Sequence, residues 1–373
     1  MKDFQKKRRE SGFSLMELLI VMILMMIITA GAFQLLQGTI STANANYEMT
    51  TATQGARNAQ EFLTRDILSV GDGLKGVSNL WLPTAFVTNY LTIRNAADID
   101  PSNLGYVSIG AIISDFNLPS NVKVAGSNPQ INILERTDRI TMLAVDPAFS
   151  SIDIPINASN YITGQISIPP SRINDFSIGE VYYITSGGTG AFGTVTNVDK
   201  TNNSITWGEG DPIGLNRLGL SGPLASGTNI NESPASLMRV NIIHYFVDAE
   251  GRLTRRAFGV KGASYIDSVI AEHVTLLKFR YILKPETAGV ILAQPRDQIE
   301  ISDASTVRAI EPRVIVETAY PLQDGEKHYV EAVTQVGVRN IQFLEAPVPV
   351  DASGNTTLLN PGPTPKITTT PIS

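Results

Sequence analysis

One carboxylate stands alone in a long apolar segment of the chain. From Phe13 through Leu36, Glu17 is the only residue with an ionisable side chain. A charged group in hydrocarbon is costly unless a partner of opposite charge accompanies it, so such a residue marks a functional position by default. Glu17 is therefore the first candidate functional residue.

The histidines do not indicate a catalytic site. His244, His273 and His328 lie far apart in the chain, and none belongs to a His-x-x-x-His or Gly-x-Ser-x-Gly pattern. We expect them to be structural or solvent-facing. Residues 187–190, Gly-Gly-Thr-Gly, are glycine-rich, but no Gly-Lys-Ser/Thr follows. We interpret them as a hairpin turn rather than a phosphate-binding loop, and we expect no enzymatic activity.

Acidic loops are the only candidates for a metal site. Asp98 and Asp100 form one pair, and Asp248 with Glu250 forms another, but neither matches a complete calcium loop. The chain has no cysteine, which excludes disulfides and cysteine-ligated metals. We expect no metal site and no cofactor.

Three arginines form a basic cluster at positions 252, 255 and 256. Strand alternation places Arg255 and Arg256 on opposite faces, so one continuous basic patch is not expected. We interpret the cluster as a solvated strand with cross-strand partners, and contact with a neighbouring subunit is the functional alternative.

The apolar segment is long enough to cross a membrane. Its 24 residues correspond to about 36 Å of helix. Beyond Leu36 the sequence becomes polar but has no proline before Pro83. The pattern predicts one helix over residues 13–69, with residues 13–36 in the membrane or a filament core and its second half packed on a globular head. Tyr47, Phe62 and Leu68 are the prominent apolar residues of that half.

The order of features at the N-terminus is specific. Basic residues 6–9 come first, Gly12 follows, and the apolar run with Glu17 comes after it. This order resembles the class III leader of type IV pilins and pseudopilins. The resemblance implies cleavage of residues 1–12 by a prepilin peptidase between Gly12 and Phe13, and N-methylation of Phe13. It also implies that Glu17 pairs with the terminal ammonium of a neighbouring subunit during assembly. The alternative is an ordinary signal anchor with one stray glutamate.

Residues 70–345 predict a β-rich head. Short apolar runs alternate with turns rich in Gly, Pro, Asn and Asp, as at residues 138–145, 180–185, 238–258 and 271–283. Residues 346–373 are rich in Pro and Thr, and we expect a flexible tail. The predicted fold class is α+β: a long N-terminal helix on an antiparallel β-sheet head, as in pilins.

The charge balance argues against nucleic-acid binding. The whole chain has a formal net charge of −6, of which residues 1–12 contribute +3, so the remainder carries −9. Sequence-independent binding to DNA needs a basic face. The basic leader belongs on the cytoplasmic side of the inner membrane, which places the head in the periplasm and, after assembly, on a pilus at the cell surface.

A second resemblance covers much of the head. Residues 139–141, 179–184, 245–256, 277–281, 307–310 and 336–340 follow one another in an order similar to that of W-type minor pilins, and more loosely of J-type pseudopilins of type II secretion. The chain departs from these families in two respects. It has no cysteines, and its middle loops are longer than a typical J-type domain needs.

These features together predict a structural protein. We expect a minor pilin of a type IV pilus that contributes to assembly or initiation, at the pilus tip. Its expected partners are other major and minor pilins, the processing peptidase and methyltransferase, the inner membrane and the assembly machinery. The alternatives are a J-type pseudopilin and a membrane-anchored adhesin or binding module that does not polymerise.

Overall fold

One long helix dominates the N-terminal part of the computed structural model, which describes residues 14–74, 80–91, 106–119, 122–124, 131–155, 164–186, 189–208, 211–216, 235–284 and 295–338. Helix α1 (Leu15–Ser69) has 55 residues, or about 82 Å of length. It ends where Val70 leaves the helical conformation, ahead of Gly71 and Gly73, which both have positive φ. The predicted end of the helix at residue 69 is confirmed, and the two glycines allow the chain to turn there.

The head is built of antiparallel strands. In chain order they are β1 (Leu80–Pro83), β2 (Tyr106–Ile109), β3 (Ile112–Asp115), β4 (Lys123–Val124), β5 (Ile131–Asn132), β6 (Arg139–Val145), β7 (Ile152–Ile154), β8 (Gln165–Ser167), β9 (Val181–Ser186), β10 (Thr189–Thr194), β11 (Asn197–Asp199), β12 (Ser204–Thr206), β13 (Ala235–Val247), β14 (Leu253–Val260), β15 (Ala263–Ala271), β16 (Val274–Leu283), β17 (Val307–Glu317), β18 (Tyr329–Val333) and β19 (Val336–Gly337). A short helix α2 (Thr84–Phe86) continues into a π-helical turn (Val87–Leu91). The predicted α+β class is confirmed.

The strands form two main sheets and three small ones within the described residues. The largest sheet has eight strands, in the order β10-β9-β13-β14-β15, with β6 and β7 pairing the other edge of β13 and β3 pairing β6. The second main sheet contains β16, β17, β18 and β19, with β17 paired to the other three. The small sheets are β1-β2, β4-β5 and β11-β12-β8.

Strand β13 organises the large sheet. Its first half pairs with β7 and β9, and its second half pairs with β6 and β14. The β13–β14 hairpin closes through Asp248, whose Oδ1 accepts hydrogen bonds from the backbone amides of Glu250 and Arg252. Gly251 completes the turn with φ of 78°, and a Cβ there would approach the carbonyl oxygen of Val274 to 3.1 Å. A side chain at this position would be disfavoured on both grounds.

Helix α1 packs on the head through small residues. Ala52, Ala56, Ala59, Leu63 and Ile67 recur at helical spacing and are at most 3% exposed. Since alanine adds little bulk, the helix lies close against the second sheet. The prediction that Tyr47 and Leu68 pack on the head is wrong. Their side chains are 70% and 48% exposed and lie on other faces of the helix.

The strand predicted over residues 271–283 is β16, which begins at Val274, whereas β15 (Ala263–Ala271) was not predicted. His273 occupies the turn between them with a left-handed φ of 56°. Residues 263–271 include Ser264, Asp267 and Ser268 and do not alternate regularly between apolar and polar types, which is why β15 was missed.

The hairpin around residues 187–190 is confirmed. Ser186 of β9 pairs directly with Thr189 of β10. Beside it, Gly193 permits close contact with a buried indole, because a Cβ there would lie 2.2 Å from the ring of Trp207. The three-stranded sheet thereby packs against the large one around a second apolar core that contains Trp207, Tyr182 and Ile205.

Candidate functional site

The first turn of α1 holds Glu17 in a capping arrangement. Ser14 is the N-cap, and its hydroxyl accepts a hydrogen bond from the amide of Met16 at 3.3 Å. The amide of Ser14 donates to Oε2 of Glu17 at 3.0 Å. This reciprocal pair starts the helix. Gly12 and Phe13, the predicted cleavage and methylation residues, lie outside the described residues.

The capping geometry determines what Glu17 can do. Its carboxylate lies at the positive end of the helix dipole and points back toward the start of the chain. A carboxylate has two oxygens, so Glu17 can keep its bond to Ser14 and accept a second, cationic partner. The position therefore suits pairing with a cation near the N-terminal end of the helix.

The apolar half of α1 is uncovered by the head. Every side chain from Leu15 to Ile40 is exposed, including Leu18 at 56% and Ile28 at 67%. The hydroxyl of Thr29 donates to the carbonyl of Met25 at 2.7 Å, which satisfies it without water. In the described residues α1 is the one helix long and apolar enough to cross a membrane. A surface of this kind needs lipid or other helices as its surroundings.

A buried acid joins α1 to the large sheet. Asp66 is 4% exposed, and its Oδ2 accepts hydrogen bonds from the Tyr245 hydroxyl at 2.6 Å and from Nε of Arg255 at 2.5 Å. We call these three residues the Asp66 cluster. Burial, reinforced by the carboxylate, raises the pKa of Tyr245, so the phenol stays protonated and donates. The cluster fixes the head on the helix.

The arginine side chains at positions 252, 255 and 256 were expected to face solvent. This is wrong for two of the three. Arg255 faces α1 and binds Asp66 there. Arg256 is fully buried, with Nε and Nη2 at 2.7 and 2.8 Å from the two oxygens of Asp267 and its guanidinium 4.2 Å from the ring centre of Tyr265. Only Arg252 is largely exposed, and it pairs with Asp248 at 2.7 Å. The predicted split between two faces is confirmed by the different partners of Arg255 and Arg256.

Of the two acidic pairs considered for a metal site, one belongs to the β13–β14 turn and the other lies outside the described residues. Asp248 holds the β13–β14 turn and the Arg252 side chain. Asp98 and Asp100 lie outside the described residues. Across the part of the chain that the structure describes, no group of three or more His, Asp or Glu side chains is placed to hold a metal ion.

The three histidines lie on separate elements. His244 is fully buried on β13, where Nδ1 shares a 2.8 Å hydrogen bond with the Thr141 hydroxyl. Burial, with the guanidiniums of Arg139 and Arg256, lowers the pKa of His244 well below its usual range. His328 is exposed and lies 2.6 Å from Asp324. The expectation of structural or solvent-facing histidines is confirmed for both.

Sequence reasoning missed the Asp66 cluster. It gave Asp66 no role in the contact with the head, and it interpreted the strand that carries Arg255 as solvated. The available signal was periodicity: Asp66 continues the spacing of Ala52, Ala56, Ala59 and Leu63, and so lies on the buried face. A buried acid at the packing face predicts a donor on the partner sheet.

The comparisons with known proteins concern the N-terminal segment. Residues 7–33 match the family model described as the prokaryotic N-terminal methylation motif. No curated protein and no solved structure matches the chain. The match supports a protein of the type IV pilin or pseudopilin class. Such a leader implies processing by prepilin peptidase and assembly with other pilins. The apolar part of α1 supports anchoring in a membrane. Proteins of this class are structural rather than enzymatic.

Proposed function

We propose that this chain is a non-enzymatic minor pilin of a type IV pilus. The observation that carries the proposal is the combination of the matched leader with an uncovered apolar segment of α1, residues 15–36, whose only carboxylate, Glu17, lies in the first turn of the helix. A basic segment before residue 13 directs the head to the periplasmic side before assembly. Glu17 then pairs with the Phe13 ammonium of a neighbouring subunit. The pairing lowers the free-energy cost of holding two charges in hydrocarbon, and it forms at only one axial register of the two helices.

The division of the chain follows from this role. Residues 1–12 are the removed leader, residues 13–36 form the membrane or filament segment, residues 70–345 form the head, and residues 346–373 form a tail. Within the described residues, the first hydrogen bond between α1 and the head is at Thr42, so about 40 Å of helix precedes the head contact. This length is available for packing among other pilin helices.

The size of the head favours a low-copy position. Two main sheets and a second apolar core make a head that is difficult to repeat along a tightly packed shaft. A subunit at the tip, or in an initiating complex, has neighbours on fewer sides. We therefore place the protein at the pilus tip, with other minor pilins as direct neighbours.

Cross-linking from the head tests the proposal. Since the chain has no cysteine, an Ile178→Cys variant carries a unique thiol at an exposed position. A cleavable cross-linker on this thiol, followed by mass spectrometry in cells, identifies the neighbours. Other pilins support a pilus subunit. Capture of secretion-system components instead would assign the chain to a J-type pseudopilin, and the absence of pilin-like partners would favour an anchored binding module.

A further inference from the structure

The large sheet carries a line of polar side chains on the face turned away from α1. The strand registers place four of them side by side: Thr141 (β6), His244 (β13), Arg256 (β14) and Asp267 (β15). Side chains alternate between the two faces of a sheet. The neighbouring Tyr245 and Arg255, which bind Asp66 of α1, therefore lie on the other face.

Arg139 belongs to the same line, because it precedes Thr141 by two positions on β6. Its Nε donates to Oδ2 of Asp115 on β3 at 2.8 Å, and the two side chains are 2% and 4% exposed. Together with the Arg256–Asp267 pair, this gives two cations and two carboxylates. We call the whole line the polar row: Asp115, Arg139, Thr141, His244, Arg256 and Asp267. Its two ion pairs balance each other in charge.

Two nitrogen atoms of the polar row lack a hydrogen-bond partner within the part of the chain that the structure describes. They are Nη2 of Arg139 and Nε2 of His244. The two residues are 1% and 0% exposed, so bulk solvent does not reach these atoms. Buried polar groups are almost always hydrogen-bonded, either to protein or to an ordered water molecule. Both atoms therefore indicate that something else binds beside them.

The hydroxyl of Thr141 determines which ring nitrogen of His244 carries the proton. Its oxygen lies 2.8 Å from Nδ1, and this is its one hydrogen bond within the described residues. If Nδ1 held the proton, the hydrogen of the buried hydroxyl would have no acceptor. We therefore assign the proton to Nε2. Nε2 of His244 and Nη2 of Arg139 are then both donors that need an acceptor.

The two donors belong to neighbouring side chains. His244 directly faces Thr141 across the β6–β13 pair, and Arg139 is two residues from Thr141 on the same face. Such a separation is about 7 Å along a strand, which an arginine side chain can span. After burial, the guanidinium of Arg139 is the largest cause of the lowered pKa of His244, ahead of that of Arg256. One small acceptor can therefore serve both donors.

We propose that the polar row binds one internal water molecule between Arg139 and His244. The water oxygen accepts hydrogen bonds from Nη2 of Arg139 and Nε2 of His244, and the water donates to the carboxylate of Asp115. A carboxylate can accept several hydrogen bonds, so the bond from Arg139 Nε does not exhaust it. About three bonds to buried polar groups are typical of an internal water.

The charge of the polar row favours water over an anion. A halide could also accept from both donors. It would, however, add an uncompensated charge to a buried row whose ion pairs already balance, and such a charge is costly. Water adds none. The site is independent of Glu17 and of the proposed function.

The bound water would connect three strands of the large sheet. Asp115 lies on β3, Arg139 on β6 and His244 on β13, and β6 pairs with both of the others. The water joins β3 to β13 across the strand that separates them. Water-mediated bonds are nearly as favourable in enthalpy as direct ones.

NMR on the full chain in detergent micelles, labelled with nitrogen-15 in histidine only, tests the inference. The chain has three histidines, so the variants His273→Gln and His328→Gln assign two signals and leave His244 unchanged. A long-range proton–nitrogen spectrum at neutral pH identifies the protonated ring nitrogen. Laboratory-frame and rotating-frame Overhauser spectra then detect water beside the ring proton, and their relative signs separate direct contact from hydrogen exchange.

The expected result is a proton on Nε2 of His244 with a direct cross-peak to long-lived bound water. A proton on Nδ1 overturns the proposal, and so does a protonated Nε2 that has no contact with water. Exchange of chloride for bromide at constant ionic strength should leave the ring signals unchanged. A shift of the His244 signals in bromide would indicate a bound anion and overturn the water.

Arg139→Lys tests the second donor, because lysine keeps the positive charge but has no Nη2. The water cross-peak of His244 should become several-fold weaker in this variant. Arg280→Lys is the matched control, since Arg280 is a partly exposed arginine outside the polar row and its replacement should leave the cross-peak unchanged. An undiminished cross-peak in Arg139→Lys would overturn the bridge between the two residues. If Arg139→Lys does not fold, the measurements on the unmodified chain still decide the proposal.

Discussion

The hydroxyl of Tyr245 lies 2.6 Å from Oδ2 of Asp66, although 179 positions separate the two residues in the chain. This bond joins the end of α1 to the central strand of the large sheet. Arg255, on the adjacent strand, binds the same oxygen at 2.5 Å. One carboxylate therefore connects the helix that is expected to enter the filament with the two strands at the centre of the head.

Removing the carboxylate should loosen the head from the helix. In Asp66→Ala, Arg255 keeps its charge in a mostly buried position without its partner, which typically costs about 3–5 kcal/mol. Tyr245→Phe removes one hydrogen bond and should cost about 0.5–1.5 kcal/mol. Urea unfolding of the full chain in detergent measures both. Equal stability of Asp66→Ala and the unmodified chain would show that the cluster does not hold the helix.

The stability of the head should fall as the solution is acidified from neutral pH. The folded-state pKa of His244 is well below that of the unfolded chain, which is about 6.5. The stabilisation is therefore fully present above pH 6.5, and it is lost as the pH falls from 6.5 toward the folded-state pKa, because only the unfolded state takes up the proton. The slope approaches about 1.4 kcal/mol per pH unit for one proton.

His244→Gln should flatten this dependence between pH 6.5 and 5. His328→Gln is the control, since His328 is exposed and its ring lies beside Asp324. Chemical unfolding at several pH values gives the free energies. If His244→Gln kept the full slope, another group would be responsible.

Processing should depend on Gly12. In Gly12→Val, the branched side chain replaces the glycine at the expected scissile bond, so a full-length precursor should accumulate in the membrane. Intact-protein mass spectrometry distinguishes it from the processed chain. Ser11→Ala is the control and should be processed. Normal mass loss in Gly12→Val would contradict the leader interpretation.

Assembly should depend on Glu17 after processing. Glu17→Ala should still be cleaved but should enter filaments or tip complexes poorly, because the Phe13 ammonium of a neighbour loses its partner. Quantification in sheared pilus fractions, normalised to the membrane pool, measures the loss. Glu17→Gln keeps the capping hydrogen bond to Ser14 without the charge, so restored assembly in this variant would indicate that helix capping rather than charge is required.

Two glycines allow a test of helix melting during assembly. Gly31 and Gly38 lie within a continuous helix, and a Cβ at either position would meet nothing within 4 Å. Gly31→Ala with Gly38→Ala should favour the helix by about 1 kcal/mol per site. Circular dichroism reports the helix content. Reduced assembly with intact processing indicates that local melting is needed, whereas unchanged assembly indicates a helix that stays continuous.

Several parts of the fold could be predicted from sequence because their signals are local. The end of α1 follows from Gly71 and Gly73, and the β13–β14 hairpin follows from the turn at residues 248–251 between apolar runs. The candidate role of Glu17 follows from its isolation among apolar residues. Each of these depends on neighbours within a few positions.

Other parts depend on contacts distant in the chain. The burial of Arg256 requires Asp267 from β15, a strand that the sequence pattern did not predict. The approach of the β17–β18 loop to α1 joins Ala319 to Glu48, which are 271 positions apart. The residue types do not indicate such contacts, because residues of the same types are common on protein surfaces.

The position of the Asp66 cluster also determines how the head responds to mechanical load. A force that draws α1 along its own axis acts on the packed residues from Ala52 to Ile67 and on the Asp66 contacts at the same time. Contacts loaded together in shear resist more force than contacts that are peeled one after another. A load applied at the N-terminal end of α1 is therefore shared between the packed face of the helix and the two strands that hold Asp66.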